Sequence, residues 1–167
     1  RWGARMGPSE LSDYMVEDGL TDVFNDYHMG VTAENVAEQW QLSREEQDAF
    51  AADSQKKARE AMESGRFESE IVPVEVTDRK GRVTVIDRDE HPRPETTLES
   101  LRSLRPAFKK EGTVTAGNAS GINDGAAMVL VLSGSRAAAM GLSPIATITS
   151  FASGGVDPSV MGVAPIS

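Results

Sequence analysis

Two histidines, His28 and His91, are the side chains of this sequence best suited to proton transfer, and the chain contains no cysteine. His28 lies between Tyr27 and Met29, and a single histidine beside an aromatic residue is more often packed than catalytic. His91 lies in a charged stretch, which predicts a surface position. Neither histidine has companions at metal-ligand spacing, so no metal site is predicted. The lack of cysteine excludes a disulfide framework and a cysteine nucleophile supplied by this chain.

A second candidate for chemistry is the glycine-rich loop at residues 112–125, which reads GTVTAGNASGINDG. Small residues let the backbone approach a ligand closely, and the Ser, Thr and Asn side chains offer hydrogen bonds. The loop lacks the lysine of a P-loop and the glycine spacing of a dinucleotide fingerprint. It therefore indicates either a ligand-binding loop or a tight crossover between two structural pieces.

The charges are unevenly distributed, although the net charge of the 167 residues is −9. Nine of the 17 basic residues lie between residues 79 and 110, whereas residues 1–70 carry 7 basic and 16 acidic side chains. A local cationic surface on an acidic protein favours a small, nucleotide-like polyanion over a long nucleic acid. A solvated charged face is the alternative.

The composition, with 39% hydrophobic and 26% charged residues, is typical of a globular protein. No apolar run is long enough to span a membrane and no signal peptide is apparent, so we expect a cytoplasmic location and no membrane partner. The last 56 residues hold 9 of the 15 glycines and almost no charge, and they must be buried by other parts of a protein. Because the chain also begins with Arg1 and stops in a loop-like sequence, we expect a segment of a longer polypeptide.

Three helices are predicted in the first half of the chain. Residues 9–18 show helical spacing after a possible Ser9 cap, and residues 32–40 form a second helix with Thr32 as N-cap. The third helix has a Ser43–Glu46 capping box and ends at Gly65. Its packed face is expected to contain Phe50, Ser54, Ala58, Ala61 and Met62, and its solvated face Glu45, Asp48, Gln55 and Arg59.

The period of the pattern then changes to that of strands. Residues 71–76 and 82–86 are β-branched runs joined by a turn at residues 78–81, which predicts a hairpin. A short helix is expected to start at Thr97 and to stop before Pro106. Residues 126–132 and 144–151 are predicted as apolar strands on either side of a helix at residues 135–140, and residues 154–167 show no periodicity. Because an apolar strand without neighbours leaves its backbone groups unpaired, this part requires a partner.

Seven motifs follow one another along the chain. They are DGLTD (18–22), YHMG (27–30), TAENVA (32–37), SREEQD (43–48), GRF (65–67), LRPAF (104–108) and the glycine-rich loop (112–125). In order and spacing they resemble the thiolases, and within that family the biosynthetic acetyl-CoA acetyltransferases.

The resemblance implies a mixed α/β fold that is a fragment of the thiolase fold. Residues 1–122 would form the helical loop domain with its β-hairpin, which binds coenzyme A. Residues 123–152 would form the last strand–helix–strand part of the N-terminal thiolase half. Residues 153–167 would begin the C-terminal half, which is truncated here.

The resemblance also implies a reaction, the reversible condensation of two acetyl-CoA molecules to acetoacetyl-CoA and CoA through an acetyl-cysteine intermediate. No cofactor is needed, since coenzyme A is carried by the substrate. The family's catalytic Cys and His motifs would lie outside this chain, so no catalytic residue is expected within it. The implied partners are the remaining thiolase polypeptide and further copies in a dimer or tetramer, with no nucleic acid.

Ten positions match substrate-binding residues of the family. His28 and Met29 would reach the acyl and pantetheine end beside an apolar wall at Leu20, and Met29 would limit acyl length. Arg93 would lie near the adenine and phosphates. The remaining positions would line the path between these ends, with Ser120 hydrogen-bonded to the pantetheine and Met161 beside the acyl group: Ser100, Leu104, Phe108, Ala116, Ser120 and Met161.

Three other functions stay open on the sequence. A degradative 3-ketoacyl-CoA thiolase would share most of these motifs. Residues 1–122 could instead form a non-enzymatic acyl-CoA-binding module with the rest as a tail. A plain interaction domain would explain the acidic helices but not the glycine-rich loop.

Overall fold

The computed structural model describes residues 6–166. A π-helical turn (Met15–Gly19) precedes two short strands, β1 (Thr21–Asp22) and β2 (Tyr27–His28), which pair in antiparallel fashion. The remaining elements are α1 (Met29–Gln39), α2 (Arg44–Glu63), β3 (Val74–Thr77), β4 (Val83–Ile86), α3 (Leu98–Arg102), α4 (Gly134–Ala139) and a 3₁₀ segment (Pro158–Ile166). Within residues 6–166, none of the helices combines the length and the apolar character that crossing a bilayer requires.

Helix α1 begins earlier than the sequence predicts, because its N-cap is His28 and not Thr32. The backbone N–H of Gly30 donates to Nδ1 of His28 at 2.9 Å. Thr32 lies inside the helix and donates its hydroxyl to the Met29 carbonyl. The usual N-cap residues are Ser, Thr, Asp and Asn, so a capping imidazole escapes the rule on which the prediction rested.

Both ends predicted for α2 are confirmed, but the predicted faces of the helix are only partly correct. The Ser43–Glu46 capping box is complete, and Gly65 follows the helix with φ of +70°. Phe50 is 79% exposed, whereas Asp48 is fully buried. The buried face contains Asp48 beside Ala51, because the Asp48 carboxylate binds the side chains of Arg44 and Asn118, which the periodicity of apolar residues cannot reveal.

The predicted hairpin is confirmed. Its strands pair from Val74 opposite Ile86 to Thr77 opposite Val83, and Gly81 in the turn has φ of +80°. The first strand starts after Pro73, which lacks the N–H that a ladder requires. The Thr97 cap of α3 is also confirmed.

Other elements differ from the prediction. The helix expected at residues 9–18 is reduced to the single π turn, and the aperiodic tail contains the 3₁₀ segment. Helix α4 forms, capped by Ser133, but residues 126–132 and 144–151 on either side of it pair with no strand among the described residues. A β-strand forms only through hydrogen bonds to a neighbouring strand, and the described residues contain no such neighbour for these two segments.

The packing centres on α1 and α2. Helix α1 contacts the 3₁₀ segment, and α2 contacts α3. The buried apolar side chains are few and small: Ala37, Ala51, Leu101, Val114 and Ala137. All buried side-chain nitrogen and oxygen atoms of the described residues have hydrogen-bond partners. Polar contacts between helices and loops therefore carry much of this architecture.

Candidate functional site

The N-terminus of α1 holds one end of the candidate site. The His28 ring stacks on the Phe108 ring, with centroids 4.8 Å apart and an interplanar angle of 23°. Gly30 lies directly beneath Phe108, and a Cβ at that position would overlap the ring. Since Nδ1 of His28 accepts the Gly30 N–H, the proton of the neutral imidazole lies on Nε2. The ring is therefore fixed in plane and tautomer, with Nε2–H available as a donor.

Leu20 and Met29 are joined beside this histidine. The Met29 N–H donates to the Leu20 carbonyl at 2.7 Å, next to the short β1–β2 ladder. The turn between these strands is held by Asp22, whose carboxylate accepts from the Asn25 amide and the Phe24 N–H. The hydrogen bond from the Asn25 amide is the main reason that the pKa of Asp22 is lowered, while burial acts in the opposite direction and raises the pKa. Four predicted site residues thus converge here: Leu20, His28, Met29 and Phe108.

Leu104, just beyond α3, lies against Gly117 of the glycine-rich loop, the residue that follows Ala116. An isolated antiparallel bridge joins Pro106 to Thr115, and the Ala107 N–H donates to the Val114 carbonyl at 2.8 Å. A Cβ on Gly117 would lie 2.5 Å from the side chains of Leu101 and Leu104. The loop therefore approaches α3 closely only because residue 117 is glycine. Phe108 lies two residues after Pro106, which forms the bridge to Thr115.

Arg93 and Ser120 lie at the other end of the site. Loop residues 93–94 dock on α2, where Gln55 accepts the Arg93 N–H and Arg59 donates to the Pro94 carbonyl. His91 of the same loop lies against Gly121, where a Cβ would overlap the imidazole. The contact brings the arginine loop next to the residue that follows Ser120. His91, predicted as a surface residue, is exposed but in contact with the glycine-rich loop.

Two predicted site residues lie apart from these contacts. Ser100 uses its hydroxyl in the capping box of α3, donating to the Thr97 carbonyl at 2.8 Å and accepting from the Thr97 N–H. Met161 lies in the 3₁₀ segment, which is held to α1 by a bond from the Asn35 amide to the Ser159 carbonyl at 3.0 Å. At the start of that segment, the Ser159 hydroxyl is the main cause that lowers the pKa of Asp157.

Two buried carboxylates that the sequence pattern does not reveal hold the glycine-rich loop. Glu34 of α1 accepts the N–H groups of Thr113 and Val114 at 2.9–3.0 Å, and also the Thr113 hydroxyl. Asp48 of α2 accepts from the Asn118 amide at 2.9 Å and from Arg44 at 2.7 Å. In the sequence, each appears only as an acidic residue on a helix, and such a residue by itself predicts a solvated face and not a buried contact.

The geometry of these contacts suits a ligand-binding surface. Among the residues that the structure describes, no three His, Cys, Asp or Glu side chains form a group that could hold a metal ion. Apolar side chains, a polar glycine-rich loop and a basic loop follow one another from His28 to Arg93. Such a path suits a thin ligand with amide groups and a charged end.

Comparison with known proteins gives the same family over the whole chain. Residues 1–135 match the family described as thiolase, N-terminal domain. The chain is similar to an acetyl-CoA acetyltransferase of Pseudomonas aeruginosa, with 59% identity over all 167 residues and 42% of that relative. Its structure is similar to the acetyl-CoA acetyltransferase of Bacillus anthracis (TM-score 0.86, 45% identity, 98% of this chain, 41% of that one). The human mitochondrial 3-ketoacyl-CoA thiolase gives a TM-score of 0.85 at 43% identity, with the same shares covered.

The chain spans about two fifths of the length of the curated relatives that it matches. The expectation of a fragment of the mixed α/β thiolase fold is confirmed, since the structural likeness covers nearly all of this chain. On the family match and the identity over its full length, the chain belongs to the thiolase family.

Proposed function

We propose that this chain is the coenzyme A-binding part of a thiolase subunit that condenses two acetyl-CoA molecules to acetoacetyl-CoA and CoA. The observation that carries the proposal is the stack of the His28 and Phe108 rings over Gly30. His28 is followed by Met29, and Phe108 lies just before the glycine-rich loop. The Nε2–H of His28 is placed to donate to an oxygen at the acyl end of the ligand. The nucleophilic cysteine would come from polypeptide outside this chain.

The path of the ligand follows from the contacts. The pantetheine arm would run from His28 past Leu104, Ala116 and Ser120, and the phosphates would lie near Arg93. Ser100 would line this path through its exposed helix, and Met161 would approach the acyl group from the 3₁₀ segment. We propose domain boundaries at residues 122 and 152, which agrees with the end of the dense hydrogen bonding at Ala119. A dimer or tetramer and a cytoplasmic location stay predictions.

Calorimetric titration of the full-length subunit with coenzyme A tests the proposal. We expect one site per subunit, weakened several-fold by Ser120→Ala and by Arg93→Ala because each removes a polar contact to the ligand. Ser69→Ala is the matched control, since this serine is exposed in the turn that follows α2 and is not one of the predicted site residues. No binding by the unaltered subunit, or binding that neither site variant changes, would refute the proposal.

A degradative thiolase that cleaves longer 3-ketoacyl chains is the second candidate, favoured by the likeness to the human mitochondrial 3-ketoacyl-CoA thiolase. Met29, whose backbone N–H is bonded to the Leu20 carbonyl, separates the two, because it is the residue expected to limit acyl length. In the full-length subunit, Met29→Ala is expected to widen the range of acyl lengths accepted. An enzyme that already prefers long chains, and is unaffected by Met29→Ala, would favour the degradative reaction.

The non-enzymatic acyl-CoA-binding module is the weaker alternative. In this chain, residues 122–152 expose large apolar side chains and pair with no strand among the described residues. Such a surface suits a segment that completes a larger sheet more than it suits a free tail.

A further inference from the structure

Asp48 is a fully buried acidic side chain at the centre of a network that joins three separate elements. It lies on α2 with none of its surface accessible to solvent. Its Oδ2 accepts from Nε of Arg44 at 2.7 Å, and its Oδ1 accepts from Nδ2 of Asn118 at 2.9 Å. A buried carboxylate is stable only when its oxygens are satisfied in this way.

The first arm of the network leads to α3. Arg44, oriented by Asp48, donates through its Nη2 to the carbonyls of Leu101 and Leu104 at 2.6 and 3.1 Å. Leu101 lies in the last turn of α3, where its carbonyl also accepts the Leu104 N–H, and Leu104 itself follows the end of the helix. Leu104 is one of the residues proposed to line the pantetheine path, so this arm fixes one wall of the site.

The second arm leads to the glycine-rich loop. Asn118, held by Asp48, donates to the Thr113 carbonyl at 3.0 Å and accepts the Thr115 N–H at 2.7 Å. The amide therefore closes the turn that carries Ala116, four residues before Ser120. Gly117 in this turn lies against Leu101 and Leu104, so the two walls that Asp48 holds are also in contact with each other.

We propose that Asp48 is a positioning residue of the coenzyme A site, which sets the spacing between the end of α3 and the glycine-rich loop through Arg44 and Asn118. This inference rests on the proposed function. Asp48 touches no ligand in this account, and its effect reaches the ligand only through the two walls. Removing its charge is expected to loosen both walls and to weaken coenzyme A binding while the chemical step is retained.

The experiment compares Asp48→Asn with Asp53→Asn in the full-length subunit. Both changes replace aspartate by asparagine on α2, but Asp53 is exposed and pairs only with Lys57. We expect the Kd for coenzyme A and the KM for acetyl-CoA to rise about tenfold in Asp48→Asn, as for loss of a charged hydrogen bond, with kcat changed less than about twofold. Asp53→Asn is expected to leave all three unchanged.

Single-arm variants keep the test decisive if Asp48→Asn does not fold. Asn118→Ala and Arg44→Lys each cut one arm, and each is expected to raise the Kd several-fold at a temperature well below unfolding. Combining Asn118→Ala with Asp48→Asn is expected to raise the Kd less than the product of the two single effects, because both act on one bond. Folded variants with the Kd of the unaltered subunit would overturn the inference. An unaltered subunit that does not bind coenzyme A would instead refute the proposed function.

Discussion

The helical region of residues 20–119 and the apolar segment of residues 122–152 differ in how their backbone is satisfied. In the helical region, buried carboxylates, helix caps and short ladders bind the loops. Among the described residues of the apolar segment, the backbone bonds belong to α4 and its ends, and Met128, Ile145 and Phe151 are more than nine tenths exposed. The helical region is held together by its own side chains. The apolar segment has the composition of strands in a buried sheet, but no strand within residues 6–166 pairs with it.

The two regions therefore depend on different sources of structural contacts. The proposed ligand-binding walls are built from contacts within residues 20–121. The apolar segment needs strands supplied by the remaining polypeptide, as expected for a chain that spans about two fifths of its relatives. The following predictions test that division, beginning with the largest effect.

Hydrogen exchange should show the largest contrast. In the 167-residue chain, the amides of residues 126–132 are expected to exchange at unprotected rates, whereas the Val114 amide, bound to Glu34, is protected. In the full-length subunit, residues 126–132 should gain protection of about a thousandfold or more as they enter a sheet. Equal exchange of these residues in both samples would contradict the division.

Gly30→Ala should cause the largest effect of a single substitution. The new Cβ would overlap the Phe108 ring, which is rigid and must move away from His28. We expect a loss of about 2 kcal/mol of unfolding free energy from overpacking, with coenzyme A affinity reduced at least tenfold. Gly19→Ala is the control, because nothing lies within 4 Å of a Cβ there. Equal behaviour of the two variants in denaturant titration and calorimetry would show that the stack is dispensable.

Glu34→Gln should have the next effect. The amide nitrogen would face donors at residues 113–114, so one backbone N–H would lose its acceptor. The expected loss is about 2 kcal/mol of unfolding free energy, measured by denaturant titration. Glu38 on the same helix is mostly exposed, and Glu38→Gln should change stability by less than about 0.5 kcal/mol. If both substitutions cost the same, the loop is not held by Glu34.

The smallest expected effect is a pH dependence of the hairpin turn. The backbone N–H of Arg82, followed by that of Lys80, lowers the pKa of Asp78 below its usual 3.8 by donating to the carboxylate. The bonds therefore stabilise the turn fully above pH 3.8, and their contribution is lost as the pH falls through the lowered pKa. NMR should show the amide resonance of Arg82 shifting over that range, and Asp78→Asn should abolish the shift. A resonance that titrates in both proteins would assign the effect to another group.

The sequence predicted elements whose signals are local. The Ser43–Glu46 capping box, the Thr97 cap and the hairpin turn each depend on residues within four positions of one another, and all three are confirmed. Phe50 and Asp48 were assigned to the wrong faces of α2. Asp48 is buried where its carboxylate accepts from Asn118, 70 residues away in the sequence, so the helical periodicity around Asp48 cannot predict its burial.

The candidate site shows the same limit. Its position near His28 and the glycine-rich loop followed from the family resemblance. The stack of His28 on Phe108 and the closeness of Leu104 to Gly117 depend on the bridge between residues 106 and 115, which no local pattern predicts. His28 as an N-cap was missed because imidazole is an unusual cap.

A crystal structure of the full-length subunit with coenzyme A bound tests the central claim most directly. The account predicts that the pantetheine arm runs between Leu104 and Ser120 and brings the thiol end to Nε2 of His28, with the phosphates beside Arg93. Coenzyme A bound at another surface, or an arm that never reaches the imidazole at saturating ligand, would contradict it.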